Sequence, residues 1–283
     1  MPVILNAKDF NMSSTILLGI LFAVLGYIIL YYLFRMIEMG YVLKRKKPLY
    51  HHFYYYLRRL NTNQKTVLIQ QFSFYNKLTK KEKRYFEHRV ASFILDKDFI
   101  GRDGLIISDE VRVLISATAV MLTFGFRDYY IGLISKIVVY PSAFFSSTNQ
   151  QYHKGEFNPK LAALVLSWED FKKGFFNESD NINLGIHEFT HAIHINSLKE
   201  RDVSSTIFSD SFTELSELLN TNESLKLRLL ESDYFRRYAF TNQFEFLAVV
   251  IENFIETPQT FKNQFPVLYS KVKQMLNFSV AGY

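Results

Sequence analysis

The sequence predicts an α+β fold, in which one N-terminal transmembrane helix precedes a mainly helical domain with a small β-sheet. Residues 15–34 contain no charged residue, and this run is long enough to cross a bilayer as a helix. Several later segments carry apolar residues at helical spacing, whereas only two short segments read as strands. The composition is 48% hydrophobic and 17% aromatic, which is typical of a chain that forms a packed core.

The apolar run is interpreted as a membrane anchor at residues 15–35, after a short extracytoplasmic segment at 1–14. A signal peptide would begin with a basic stretch and end at a small-residue cleavage site. Residues 1–14 carry one Lys and one Asp, and the residues that follow the run are aromatic and bulky. A buried core helix of this length would usually show a polar face.

The charges that follow the anchor predict its orientation. Arg35 and the four basic residues at 44–47 follow the apolar run, and Glu38 is the only acidic residue among them. Because Lys and Arg are retained on the cytoplasmic side, the N-terminus is expected outside a cell (inner) membrane and the rest of the chain inside. Residues 36–66 then form a basic, aromatic-rich connector, and residues 67–283 form one domain.

The elements of this domain are read in chain order. A helical stretch runs from Thr66 to about Asn76. Thr79 and Glu82 have the spacing of a capping box, which opens the next helix. The later segments are an apolar helix at 109–124, which Gly125 should end, and strands at 136–140 and 161–166.

Composition also excludes some functions. The net charge is +6, but the Lys and Arg residues are spread along the chain and no nucleic-acid motif accompanies them, so no nucleic-acid partner is expected. The chain has no cysteine, which excludes disulfides and thiolate sites. Any metal must therefore be bound through nitrogen and oxygen.

Residues 187–191 form the motif H-E-x-x-H. On a helix, His187 and His191 lie on one face and can direct two imidazoles at one Zn²⁺ ion, and Glu188 can take a proton from a water on that ion. Apolar residues on both sides of the motif indicate a mostly buried helix. Such polar groups are costly to bury unless a metal satisfies them. The motif predicts metal-assisted hydrolysis, most often of a peptide bond. The strand at 161–166 is expected beside the metal cleft.

A catalytic zinc needs a third protein ligand and one open position. Glu245 and Glu252 lie seven residues apart in an apolar segment, so they share nearly one helix face. Either acid could be the ligand, while the other fixes a histidine from behind. Alternatively, one or both are surface acids of an amphipathic helix.

Five blocks of the chain carry a resemblance to a known family. Over residues 67–270 the chain resembles the Mlc titration factor family of zinc-dependent peptidases (peptidase family M90), whose metal site is also similar to that of anthrax lethal factor. The blocks are GRDGLIISDEVRVLISA at 101–117, IVVYPSAF at 137–144, VLSWEDFKKG at 165–174, NINLGIHEFTHAIH at 181–194 and YAFTNQFEFLAVVIENF at 238–254.

The resemblance implies a zincin-like metallopeptidase domain with Zn²⁺ as cofactor. It makes His187 and His191 metal ligands, Glu188 the general base and Glu245 the third ligand. It also assigns Tyr238 to the oxyanion, a role that the hydrogen bond of a phenol can fill. The chain departs from the family at His194, where an acid is common. That histidine is expected behind the ligands or in the core.

Two functions are carried forward. The first is a membrane-anchored zinc metallopeptidase that hydrolyses peptide bonds through a zinc-activated water with Glu188 as general base. It would act as an aminopeptidase or as an endopeptidase. Its partners would be a peptide or protein substrate and the lipid bilayer through residues 15–35. The second is a regulatory binding protein that sequesters a partner, such as a transcription factor, at the membrane. In that case the zinc site is structural or secondary.

Overall fold

The computed structural model describes residues 7–146, 150–177 and 180–283, and it divides into units 1–45 and 46–283. The described part of the first unit is one helix, α1 (Ala7–Arg45). Its portion Ser14–Arg45 is the one helix in the described chain that is long and apolar enough to cross a membrane. The predicted apolar helix is therefore present and extends beyond 15–35. Residues 1–6 of the predicted N-terminal segment lie outside the described residues.

The second unit is mostly helical with small sheets, which confirms the predicted α+β class. Its helices are α2 (Thr62–Gln71), α3 (Ser73–Lys77), α4 (Lys80–Asp96), α5 (Asp109–Leu122), α6 (Trp168–Phe176), α7 (Leu184–Lys199), α8 (Val203–Thr221), α9 (Glu223–Glu231), α10 (Gln243–Glu256), α11 (Pro258–Gln264) and α12 (Pro266–Met275), with a 3-10 helix at Arg237–Phe240. The strands are β1 (Asp98–Gly101), β2 (Lys136–Tyr140), β3 (Phe144–Ser146), β4 (Gln151–His153), β5 (Gly155–Asn158) and β6 (Ala163–Ser167).

The main sheet has the strand order β1-β2-β6-β5. β1, β2 and β6 are parallel, whereas β5 runs antiparallel to β6 at the end of the sheet. Both predicted strands are present, as β2 and β6. The expectation that the 161–166 strand borders the cleft is wrong, because β6 pairs on both sides and is almost entirely buried, as its apolar sequence allows. β5, the edge strand next to β6, is the strand that lies against the motif helix α7.

Local signals place most helix boundaries. Thr79 and Glu82 form the predicted capping box at the start of α4. The predicted helix at 66–76 is two helices, because the backbone at Phe72 is extended and ends α2. α5 ends at Leu122, slightly before Gly125. A Cβ at Gly125 would collide with the carbonyl oxygens of the C-terminal segment, so this glycine also permits a close approach.

The motif helix α7 lies at the centre of the second unit, in contact with α5, α8, α10 and β5. Its apolar side is buried, and Phe189 is fully enclosed with its ring 6.1 Å from that of Phe93. Complete burial of such a side chain stabilises the fold by about 1.5–3 kcal/mol. The motif helix is therefore held firmly by the core while its polar residues face β5 and α10.

Candidate metal centre

The two histidines of the motif meet on one face of α7. The helix begins at Asn183, whose side chain caps it by accepting a hydrogen bond from the Ile186 amide. His187 and His191, one turn further on, place their Nε2 atoms 3.1 Å apart. The spacing of the motif along one helix therefore brings two of the three candidate ligands together.

Glu245 completes the cluster from the first turn of α10. The Asn242 side chain accepts the amide hydrogens of Phe244 and Glu245 and so fixes this turn. Glu245 Oε2 lies 3.0 Å from His187 Nε2, and Oε1 lies 3.6 Å from His191 Nε2. The candidate ligand atoms of the three residues all lie within 4.8 Å of one another, so the group could hold a metal ion.

The donor atoms of this cluster fit a zinc ion. Glu245 Oε2 is buried and makes no hydrogen bond of acceptable geometry, although it is close to His187. His187 Nδ1 lies 2.7 Å from Glu252 Oε1, and since a carboxylate only accepts, the proton sits on Nδ1 and Nε2 faces the cluster. Two imidazole nitrogens and one carboxylate are a donor set of catalytic zinc sites.

The electrostatics of the cluster favour positive charge at this position. Burial lowers the pKa of His187, but the adjacent carboxylates of Glu245 and Glu252 outweigh this effect and raise it to about 9. Burial raises the pKa of Glu245, but the two histidines hold it well below its usual range. A metal therefore competes with a proton on His187 for a site built for positive charge.

Glu252 orients His187 from behind and does not belong to the ligand cluster. Its carboxylate is fully buried and accepts two hydrogen bonds from Arg236, at 2.7 and 2.8 Å. It also accepts the amide hydrogen of Asn183 at 2.9 Å, so it links the start of α7 to α10. Of the two acids left open by the sequence, Glu245 faces the histidine pair and Glu252 supports it.

Arg236 was missed by the sequence analysis. Besides its paired bonds to Glu252, it donates to the carbonyl oxygen of Asn181 at 2.6 Å. A fully buried carboxylate needs a charged or strongly donating partner, and that requirement is the only signal that could have pointed to a nearby arginine. Which arginine meets it depends on the tertiary contact between the 3-10 helix and α10.

The Arg236→Leu variant is expected to bind zinc about 10–100-fold more weakly, because Glu252 would no longer hold His187 in place. A competition titration against a chromophoric chelator measures this change. Arg237→Leu is the matched control, since Arg237 is the next residue and is exposed. Equal zinc affinities of the two variants would contradict the orienting role of Arg236.

Glu188 is buried between α7 and the edge strand β5. A Cβ at Gly155 would lie 2.7 Å from Glu188 Cγ and Oε1, so only glycine lets the strand come this close. The Phe157 amide donates a hydrogen bond to the Glu188 carboxylate. Burial raises the pKa of Glu188, although the neighbouring histidines oppose the shift. A carboxylate with a raised pKa is better suited to take up a proton.

Tyr238 lies on the 3-10 helix, with its ring centroid 6.0 Å from that of His187. Half of its surface is exposed. Burial of the remaining part and the negative charge of Glu245 raise its pKa to about 12. The phenol therefore keeps its proton at neutral pH and can donate a hydrogen bond near the cluster.

His194 is enclosed by aromatic rings and is not in the ligand cluster. Its ring centroid lies 4.4 Å from that of Phe212 and 5.2 Å from that of Phe244. Burial, followed by the charge of His191, lowers its pKa to about 4. His194 is therefore a neutral core residue at physiological pH.

The His-His-Glu cluster on this fold could hold the metal ion of a metallopeptidase. The chain belongs to the glucose-regulated metallo-peptidase M90 family, whose sequence profile it matches over residues 50–277. This match confirms the resemblance and extends it into the predicted connector. The chain is also similar to the uncharacterized protein slr2042 of Synechocystis sp. (strain ATCC 27184 / PCC 6803 / Kazusa), at 24% identity over 231 residues, which are 77% of this chain and 84% of that protein.

Proposed function

We propose that the chain is a membrane-anchored, zinc-dependent peptidase in which His187, His191 and Glu245 hold zinc and Glu188 is the general base. The observation that carries the proposal is the convergence of the three ligand residues within 4.8 Å, beside a buried glutamate on the same helix. Family membership supports the reaction class. The donor set of two imidazoles and one carboxylate, which catalytic zinc sites use, supports zinc as the metal.

The residues of the site divide the reaction among them. When bound, zinc supplies a Lewis acid that polarises the substrate carbonyl and makes a water easier to deprotonate. Glu188 accepts a proton from the attacking water as its oxygen bonds to the carbonyl carbon, and then passes that proton to the amine that leaves. Tyr238 donates a hydrogen bond to the oxygen that becomes negative. Glu252 and Arg236 keep His187 oriented throughout.

The substrate is proposed to lie extended along β5. This strand ends the main sheet, and its residues Gly155 and Phe157 contact the general base directly. A peptide that pairs with the outer edge of β5 would gain main-chain hydrogen bonds independent of its sequence. It would also bring a scissile carbonyl to Glu188.

The anchor is proposed to be α1, with the N-terminus outside and residues 46–283 in the cytoplasm. Residues 15–34 carry no charge, and the cations Arg35 and Lys44–Lys47 follow them. Retention of such cations on the cytoplasmic side supports this orientation. Placement in the inner membrane of a bacterial cell would make cytoplasmic proteins or peptides the substrates.

A peptide-library cleavage assay tests the proposed function. Full-length protein in nanodiscs is incubated with peptides in matched forms, one with a free and one with an acetylated N-terminus. Zinc content is measured in the same sample. Cleavage that is lost on chelation and restored by zinc is expected, and cleavage of only the free forms would define an aminopeptidase. A protein with one zinc per chain that cleaves no peptide would overturn the proposal.

The Tyr238→Phe variant is expected to lower kcat by about a hundredfold, with zinc content unchanged, because one oxyanion donor is lost. Steady-state kinetics on a cleaved peptide measures the effect. Tyr234→Phe is the matched control, since the Tyr234 hydroxyl lies 2.7 Å from Thr257 Oγ1 and away from the ligand cluster. If Tyr238→Phe keeps the wild-type kcat, Tyr238 has no role in the reaction.

A further inference from the structure

Residues 50–59 form a segment, here called the aromatic strip, that is hydrogen-bonded to α4 along one side. Buried Arg89 donates a hydrogen bond to the Tyr54 hydroxyl at 2.6 Å. The Arg58 amide donates to His88 Nδ1 at 2.8 Å. These bonds attach the strip to α4, so the side chains on its other side have a defined direction.

The outward side of the strip displays four large aromatic rings. The exposed fractions are 46% for Tyr50, 66% for Phe53, 98% for Tyr55 and 76% for Tyr56. Single exposed aromatic residues are common, but a contiguous group marks a surface that contacts another molecule or a membrane. These four rings therefore indicate a binding surface.

A basic hollow adjoins these rings. Its volume is about 800 Å³, and its lining includes Arg58, Arg59, Lys65, Arg84 and a single acid, Glu87. The Lys65 ammonium neutralises Glu87 at 2.9 Å. Across the described part of the chain, the three arginines form no ion pair within 4.0 Å. Guanidinium groups bind phosphate oxygens in pairs, so the hollow suits an anionic phosphate group.

We propose that the aromatic strip is a second membrane contact, which binds the anionic phospholipid headgroups of the bilayer that α1 crosses. The inference rests on the proposed anchor. The strip begins five residues after Arg45, which ends α1, and this length of chain reaches about 18 Å at most. Tyrosines favour the membrane interface, and cations close to a membrane helix bind anionic lipids. The exposed rings suit the membrane interface, and the unpaired arginines suit the anionic phosphates of the headgroups.

A fluorescent label tests this contact in the full-length protein. Because the chain has no cysteine, Tyr56→Cys can carry one environment-sensitive dye without side reactions. In nanodiscs of phosphatidylcholine with phosphatidylglycerol, the emission is expected to move to shorter wavelength than in phosphatidylcholine alone. Tyr152→Cys is the matched control, since Tyr152 is equally exposed, at 76%, and lies outside the strip on the hairpin strand β4. Its emission should be the same in both lipids.

Charge removal identifies the lipid source of the signal. Arg58→Gln with Arg59→Gln should lower the affinity for phosphatidylglycerol, read from the emission shift against the fraction of that lipid in the disc, about fivefold for each charge removed. The control pair Lys160→Gln with Lys262→Gln removes two exposed cations elsewhere and should leave the shift intact. Equal emission in both lipids, or a shift that depends on the number of protein copies per disc, would overturn the proposal in favour of no contact or a protein partner.

Flotation separates failure of the strip from failure of the anchor. Protein that floats with liposomes after an alkaline wash retains its anchor, so an unresponsive label in that protein counts against the strip alone. Protein that does not float contradicts the anchor. In that case, a shift on added phosphatidylglycerol vesicles would still support the strip, and its absence would overturn both.

Discussion

Replacing Glu188 with glutamine is expected to lower kcat for peptide hydrolysis by about 10²–10⁴-fold, which is the usual contribution of a general base. Glutamine has nearly the same shape and can keep its place beside Gly155, but it cannot take a proton from water. Zinc content should stay at the wild-type level because Glu188 is not in the ligand cluster. Kinetics on a cleaved peptide and elemental analysis of the same sample check both parts.

The control for this result is Glu217→Gln, the same change on α8, where the side chain is exposed. That variant should keep its activity. If Glu188→Gln hydrolysed peptides at the wild-type rate with zinc bound, the proposed mechanism would be wrong. Parallel losses of zinc and activity would instead show that Glu188 acts in metal binding.

The second large effect is expected from His187→Ala, which should lose most of its zinc. This change removes a proposed ligand atom and also leaves Glu252, which Arg236 holds in place, without the ring that it orients. Mutation of a residue that only hydrogen-bonds a metal ligand typically lowers metal affinity 10–100-fold. Loss of the ligand itself should therefore lower zinc affinity by more than about a hundredfold. Elemental analysis after dialysis measures the loss.

His194→Gln is the matched control for the metal-loss experiment. His194 follows the motif on the same helix, but aromatic rings surround it and it is outside the ligand cluster. The control variant should therefore retain zinc, whatever its effect on core packing. Full zinc occupancy in His187→Ala would remove His187 from the proposed ligand set.

The sequence predicted those parts of the protein that depend on local patterns. The spacing of His187 and His191 fixes their common face, and the Thr79 capping box fixes a helix start. The choice between Glu245 and Glu252 stayed open from residue patterns, because both acids share one helix face and only the packing of α10 against α7 separates them. The family resemblance selected Glu245, and in the structure Glu245 lies beside both histidines.

The features that could not be predicted from the sequence depend on contacts between distant segments. Arg236 joins Glu252 through the tertiary position of a one-turn helix. The strand beside the cleft was misplaced because periodicity shows that 161–166 is a strand but not which strand ends the sheet. The cage around His194 likewise requires Phe212, from a different helix. Spacing along the chain contains no information about such neighbours.

β5 must lie in the correct register to contact Glu188. The specific activity is therefore expected to depend on correct assembly of the sheet. Gly155 pairs with Leu166, and this register brings the glycine and the Phe157 amide to Glu188, the proposed general base. A one-residue slip of β5 would exchange its two faces and present a side chain where Glu188 needs space. Such a protein would bind zinc through α7 and α10 yet remain inactive. Turnover per bound zinc would then report the fraction of molecules whose sheet closed in the correct register during folding.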